Sequence, residues 1–149
     1  MSLFDQVSAD IVTAMKSRDK VSLEALRNVK KAFLEAKTAP GANDTLTDDT
    51  ALKLIQKLVK QGKDAAAIYT EQSRPDLAEA ELAQVSVMER YLPVALTDEE
   101  LTAALRDIIA SVGAQGPKDM GRVMGVATKQ LAGKAEGRAI SAKVKELLN

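Results

Sequence analysis

Lys53, Lys57, Lys60 and Lys63 recur at spacings of four, three and three. On a helix that spacing gathers the ammonium groups on one face. Lysine is a compact point charge for phosphate, so such a face suits an anionic polymer as well as plain solvation. Carboxylates cluster too, as Asp48-Asp49, Asp98-Glu99-Glu100 and Asp64 with Glu71. The first two groups stand where helices should begin, and there the helix dipole accounts for them without catalysis. Ser73, Ser86 and Ser111 have no base pattern beside them, and no Gly-rich phosphate loop occurs. A Gly/Ser-rich amidase stretch with a serine nucleophile and its lysine is also missing.

Composition narrows the chemistry further. The 149 residues contain no Cys and no His. That removes disulfides, a thiolate nucleophile and Cys-based zinc sites. It also removes the commonest acid–base group near neutral pH and the commonest transition-metal ligand. No cofactor is implied. Aromatics make up 3%, so Leu, Ile, Val, Met and Ala must build the core.

The elements that position these groups are read from period. Apolar residues recur at helical spacing nearly everywhere and strand-like alternation is absent, which predicts an all-α fold. Ser2 caps a first helix, with Asp5 completing a capping box and Leu3, Val7, Ile11 and Met15 facing inward. A second helix covers 20–37, with Leu23, Leu26, Val29, Phe33 and Ala36 inward, and stops at the loop 38–44. Thr47 starts a third, running to about Gln72 with Leu52, Ile55, Val59, Gly62, Ala66 and Tyr69 inside. Pro75 opens a fourth, which carries Leu77, Leu82, Val85, Met88, Tyr91 and Leu92 and closes at Pro93.

Leu92-Pro93-Val94 is the boundary candidate, giving an N-terminal helical domain 1–93 and a C-terminal three-helix domain 94–149. Thr97 and Glu100 form a second capping box, Gly113 ends that helix, and Gly116-Pro117 opens the next. Six of the eight glycines follow residue 112, so this part consists of short, tightly turned helices. Within it, Met120, Val123, Met124 and Ala127 give an apolar face. Gly121 and Gly125, four apart, would let another backbone approach. Close packing explains this segment, and so does a contact surface with Arg122 exposed. Gly133 to Arg138 reads as a capping turn whose bases could reach a phosphate.

Net charge is zero, with 21 basic and 21 acidic side chains, but the charges are segregated. Seven basic residues lie between 16 and 37 against Asp19, Glu24 and Glu35. Between 64 and 100 nine acids face only Arg74 and Arg90. The basic part reads either as solvated helix faces or as an anion-binding surface. A structured RNA bound by backbone and shape would need no stacking rings. Four lysines on phosphates would give a log–log salt slope of roughly −3 to −4.

The runs Leu26-Arg27-Asn28-Val29-Lys30, Leu58-Val59-Lys60-Gln61-Gly62-Lys63-Asp64 and Arg74-Pro75-Asp76-Leu77-Ala78, followed by Glu89-Arg90-Tyr91-Leu92-Pro93, Thr97-Asp98-Glu99-Glu100-Leu101, Asp119-Met120-Gly121-Arg122-Val123-Met124 and Gly133-Lys134-Ala135-Glu136-Gly137, together resemble YqeY-like proteins of the GatB/YqeY superfamily. The likeness runs in order over nearly the whole chain. It implies a helical N-terminal domain and a three-helix C-terminal domain. That module is related to the tail of the B subunit of glutamine-dependent aminoacyl-tRNA amidotransferase, where it is associated with recognising tRNA while catalysis resides elsewhere. Amidotransferase activity with glutamine as amido donor is implied by that association alone. Gly62 stands where the resemblance leads one to expect a basic residue, which would take one charge from the surface, and Glu136 stands where aspartate is usual.

The resulting expectation is a non-catalytic tRNA- or RNA-interaction protein. Its contacts would be Arg27, Lys30, Lys31, Lys53, Lys57, Lys60 and Lys63, with Lys118, Arg122, Lys129, Lys134 and Arg138 in the C-terminal part. The alternative is a helical adaptor with a protein partner. No apolar run approaches the ~20 residues of a membrane span, and the first residues lack the basic start and apolar centre of a signal peptide. A soluble, cytoplasmic protein is therefore expected.

Overall fold

The computed structural model describes residues 2–149. Among them are seven α-helices and one short 3-10 turn, with no strand. The Cα positions divide into two compact units, one up to Leu92 and one from Pro93 to Asn149.

The first unit contains α1 (Leu3–Ser17), α2 (Lys20–Lys37), α3 (Asp48–Glu71) and α4 (Pro75–Glu89). Local chemistry sets the helix starts. Ser2 Oγ accepts from the Asp5 N–H, and its hydroxyl bonds the Asp5 carboxylate. Asp19 caps α2 by accepting from both the N–H and the hydroxyl of Ser22. Thr47 caps α3, and Pro75 occupies the first turn of α4, where its missing N–H costs nothing. α3 packs along α4, and α2 packs on α1 and α4. Val7, Val29, Phe33, Ile55 and Val85 form the centre of this core. Each such side chain contributes ~1.5–3 kcal/mol relative to exposure.

The inward stripe of α1 differs from its expected course. Ala14 is 4% exposed and Met15 is 54% exposed. Each step of four residues advances about 40° around a 3.6-residue helix, so by the third step from Leu3 the row has left the core side. Leu82 of α4 also lies outside, because α4 is packed on two sides and buries Ala78, Val85, Val87 and Met88 rather than one stripe.

The second unit contains α5 (Asp98–Val112), a 3-10 turn (Pro117–Asp119), α6 (Met120–Gln130) and α7 (Gly137–Leu148). Thr97 and Glu100 form a full capping box, and Gly113 ends α5 in the left-handed conformation. Leu105, Val123 and Val144 are its most deeply buried large side chains. The Leu96 N–H donates to the Lys134 carbonyl, tying the segment before α5 to the α6–α7 loop. Gly121 and Gly125 face open space rather than another backbone, since a Cβ at either would meet nothing within 4 Å. The close approach expected there does not occur.

Candidate nucleic-acid interface

α3 presents Lys53, Lys57 and Lys60 on one exposed face over about two turns. None of the three has an ion-pair partner among the described residues. The next residues around that face, Asp49 before it and Asp64 after it, are acidic and bound the patch. Lys63 departs from the stripe. Its Nζ lies 3.1 Å from Glu89 Oε1 of α4, so part of its charge is neutralised within the protein. Gly62 is buried against α4, so the position where a surface base was expected belongs to the helix contact and not to the charged face.

On α2, Arg27 and Lys31 are exposed and flank Leu34, which is 45% exposed. Lys30 is half-buried, with its Nζ 5.8 Å from the centroid of the Phe4 ring. Lys37 sits closer, at 4.3 Å, and also reaches Asp44. Phe4 in turn packs on Phe33 at a centroid distance of 6.4 Å. Lys30 is thus spent partly on a cation–π contact, while Arg27 and Lys31 extend toward solvent.

The C-terminal candidates are all exposed. Arg122 and Lys129 share a face of α6, seven residues or about two turns apart, and Gly125 lies between them. Arg122 donates to Asp119 at 3.0 Å, and Asp119 also accepts the Gln115 N–H at 2.9 Å. The Gln115 N–H, followed by Arg122, holds the Asp119 carboxyl below its ordinary value despite opposing desolvation. Lys118 stands on the 3-10 turn, Lys134 in the α6–α7 loop and Arg138 in the first turn of α7. The loop is shaped by Gly133, whose φ of 76° requires the left-handed region.

The carboxylates behave as capping and pairing groups. Asp48 accepts the Leu3 N–H, Asp98 pairs with Lys143 at 3.1 Å, and Glu100 belongs to its capping box. No cluster of three or more potential metal-ligating side chains occurs among the described residues.

Over residues 4–148 the sequence matches the family described as Yqey-like protein. The chain belongs to the YqeY-like family. Its relatives include Altered inheritance of mitochondria protein 41, mitochondrial, of Pyrenophora tritici-repentis, at 26% identity over 96% of this chain and 79% of the relative. The Meyerozyma guilliermondii protein of the same name is 32% identical over 78% of this chain and 62% of its own length. The Kluyveromyces lactis protein is 25% identical over 91% of this chain and 70% of its own. These names overturn the cytoplasmic expectation, because the relatives of this YqeY-like chain are named mitochondrial proteins. The expectation rested on the lack of a membrane-length apolar run and on the charge and hydropathy of the first residues, and neither property carries an organelle address by itself. No helix among the described residues is long and apolar enough to cross a membrane.

One further cluster had no signal in the sequence. The Tyr91 hydroxyl donates to Asp10, 81 positions away, and Arg90 and Asp19 lie around the same cleft. Neither hydrophobic period nor residue spacing links residues that far apart.

Proposed function

We propose that this YqeY-like protein is a non-catalytic binder of tRNA or a similarly structured RNA, holding the phosphate backbone with the lysine face of α3. The observation that carries this reading is the exposure of Lys53, Lys57 and Lys60 on one face without acidic partners. A solvated face is usually laced with opposite charges at i,i+4, and here such charges occur only at its borders. Arg27 and Lys31 of α2, and Arg122 and Lys129 of α6, are further cationic positions open to solvent. Four aromatic residues are present in all, and Phe4 and Phe33 are used in packing. Recognition would therefore rely on backbone charge and shape rather than on stacked bases.

The test is a gel-shift titration with folded tRNA, including mitochondrial transcripts because the relatives carry mitochondrial names. Micromolar or weaker binding, reduced several-fold in the triple variant Lys53→Gln, Lys57→Gln, Lys60→Gln, supports the reading. Unchanged tRNA mobility at up to ~100 μM protein in low salt contradicts it.

A helical adaptor is the second reading, favoured by one feature. The outer face of α2 forms a shallow groove with exposed Leu34 between Arg27 and Lys31. A pulldown from nuclease-treated lysate separates the two, since a partner retained after RNA removal supports the adaptor.

A further inference from the structure

A cleft of about 470 Å³ opens in the first unit between α1, the start of α2 and the end of α4. Its size falls within the ~300–1,000 Å³ of small-molecule sites. The floor is apolar, made by Ala14, Leu26 and Val87, none more than 4% exposed. The rim is polar and carries Asp10, Asp19, Arg90 and Tyr91. An apolar floor under a few convergent polar groups is the usual composition of a ligand site.

The charges on the rim are unequally satisfied. Asp19 is occupied as the cap of α2, accepting from the Ser22 N–H at 3.1 Å and the Ser22 hydroxyl at 2.7 Å. Those bonds hold its carboxyl below the ordinary value, and the Arg90 charge adds to them. Asp10 differs, because its partner is the neutral Tyr91 hydroxyl and it has no ion pair among the described residues. Burial, and then the Asp10 bond and charge, push the Tyr91 phenol up, so it remains a protonated donor at neutral pH. An ionised carboxylate has about four lone-pair sites, of which the phenol takes one.

We propose that this cleft binds a small organic monocation, a primary ammonium on an apolar body, with the ammonium on Asp10 beside Tyr91 and the body over Ala14, Leu26 and Val87. Two carboxylates, Asp10 and Asp19, stand on the rim against the single Arg90, so the rim's charge favours a cation over an anion. A metal ion would lack a third carboxylate. An ammonium gains a charge-assisted hydrogen bond to Asp10, while its apolar body packs in the cleft against a floor that is already closed to water. The site does not depend on the RNA reading.

The experiment is a 15N–1H NMR titration of the full chain with phenethylamine, using 2-phenylethanol as the uncharged counterpart at constant ionic strength. The amine should give saturable shifts at Asp10, Thr13, Ser17 and Tyr91, and the alcohol should give none. Asp10→Asn keeps an acceptor for the Tyr91 hydroxyl while removing the charge, and should weaken binding about tenfold, equivalent to ~1.4 kcal/mol. Thr13→Leu, at an exposed helical position where leucine is well tolerated, narrows the cleft and should weaken binding as well. Equal shifts with the alcohol, an absence of saturable shifts, or binding undiminished in Asp10→Asn would each overturn the assignment.

Discussion

Gly62 of α3 lies so close to α4 that a Cβ placed on it would stand 2.5 Å from Val85 Cγ2. Val85 cannot simply swing aside, because a β-branched side chain in a helix has one strongly preferred rotamer. A glycine inside a helix is ordinarily a weakness of ~1 kcal/mol relative to alanine. Here it is what allows α3 and α4 to pack at their observed separation. A long basic side chain at this position would have to leave the helix contact or force the helices apart.

Gly62→Ala is therefore expected to destabilise the protein by about 1–2 kcal/mol. Overpacking costs ~1–3 kcal/mol, and the gain in helix propensity offsets part of it. Adding Val85→Ala should cost less in the Gly62→Ala background than in the parent, with a coupling of at least ~0.5 kcal/mol. Urea unfolding of the four proteins measures this. A stabilising Gly62→Ala would show that the helices shift freely.

The Lys63–Glu89 pair separates stability from charge. Its side chains are 57% and 44% exposed, so the pair should contribute no more than ~1 kcal/mol. Glu89→Gln releases Lys63 to the proposed RNA face. Stability should change little, while tRNA affinity rises and its salt slope steepens by up to ~1. Equal or weaker affinity in that variant would remove Lys63 from the interface.

Tyr91 links α1 to the segment before Pro93 through its bond to Asp10. Tyr91→Phe should cost ~1 kcal/mol near neutral pH. The sign of its pH dependence follows from the raised phenol pKa. Above the ordinary value of 10.0 the unfolded chain loses the proton while the folded chain keeps it, so stability falls with rising pH. Thermal melts above pH 10 should show a shallower decline in Tyr91→Phe than in the parent.

Asp119 gives the opposite limb. The Gln115 N–H and Arg122 hold its folded pKa below the ordinary 3.8. Its contribution is present above that value and is lost as pH falls through the lowered folded pKa. Asp119→Asn should flatten the acid end of the melting profile and loosen the turn before α6. An unchanged acid limb would show that Asp119 does not report on this turn.

Much of the helical pattern was legible because its causes are local. Thr47, Thr97 and Gly113 act within one turn of themselves, and the lysine spacing on α3 needs nothing beyond the helix period. The α1 stripe was misread because a row of i+4 steps drifts around the helix, exchanging Met15 for Ala14. Leu82 was misread because α4 is contacted on two sides. The openness around Gly121 and Gly125 depends on which faces α5 and α7 take, which their spacing does not encode. The pairing of Lys63 with Glu89, and of Tyr91 with Asp10, arises only when distant helices meet.

The central claim is that Lys53, Lys57 and Lys60 neutralise RNA phosphates, and the salt dependence of tRNA binding tests it most directly. Three contacts should contribute ~2–3 to the magnitude of the log–log slope. The triple lysine-to-glutamine variant should lose about that much slope together with affinity. A slope and affinity identical to those of the parent would contradict the assignment of the α3 face.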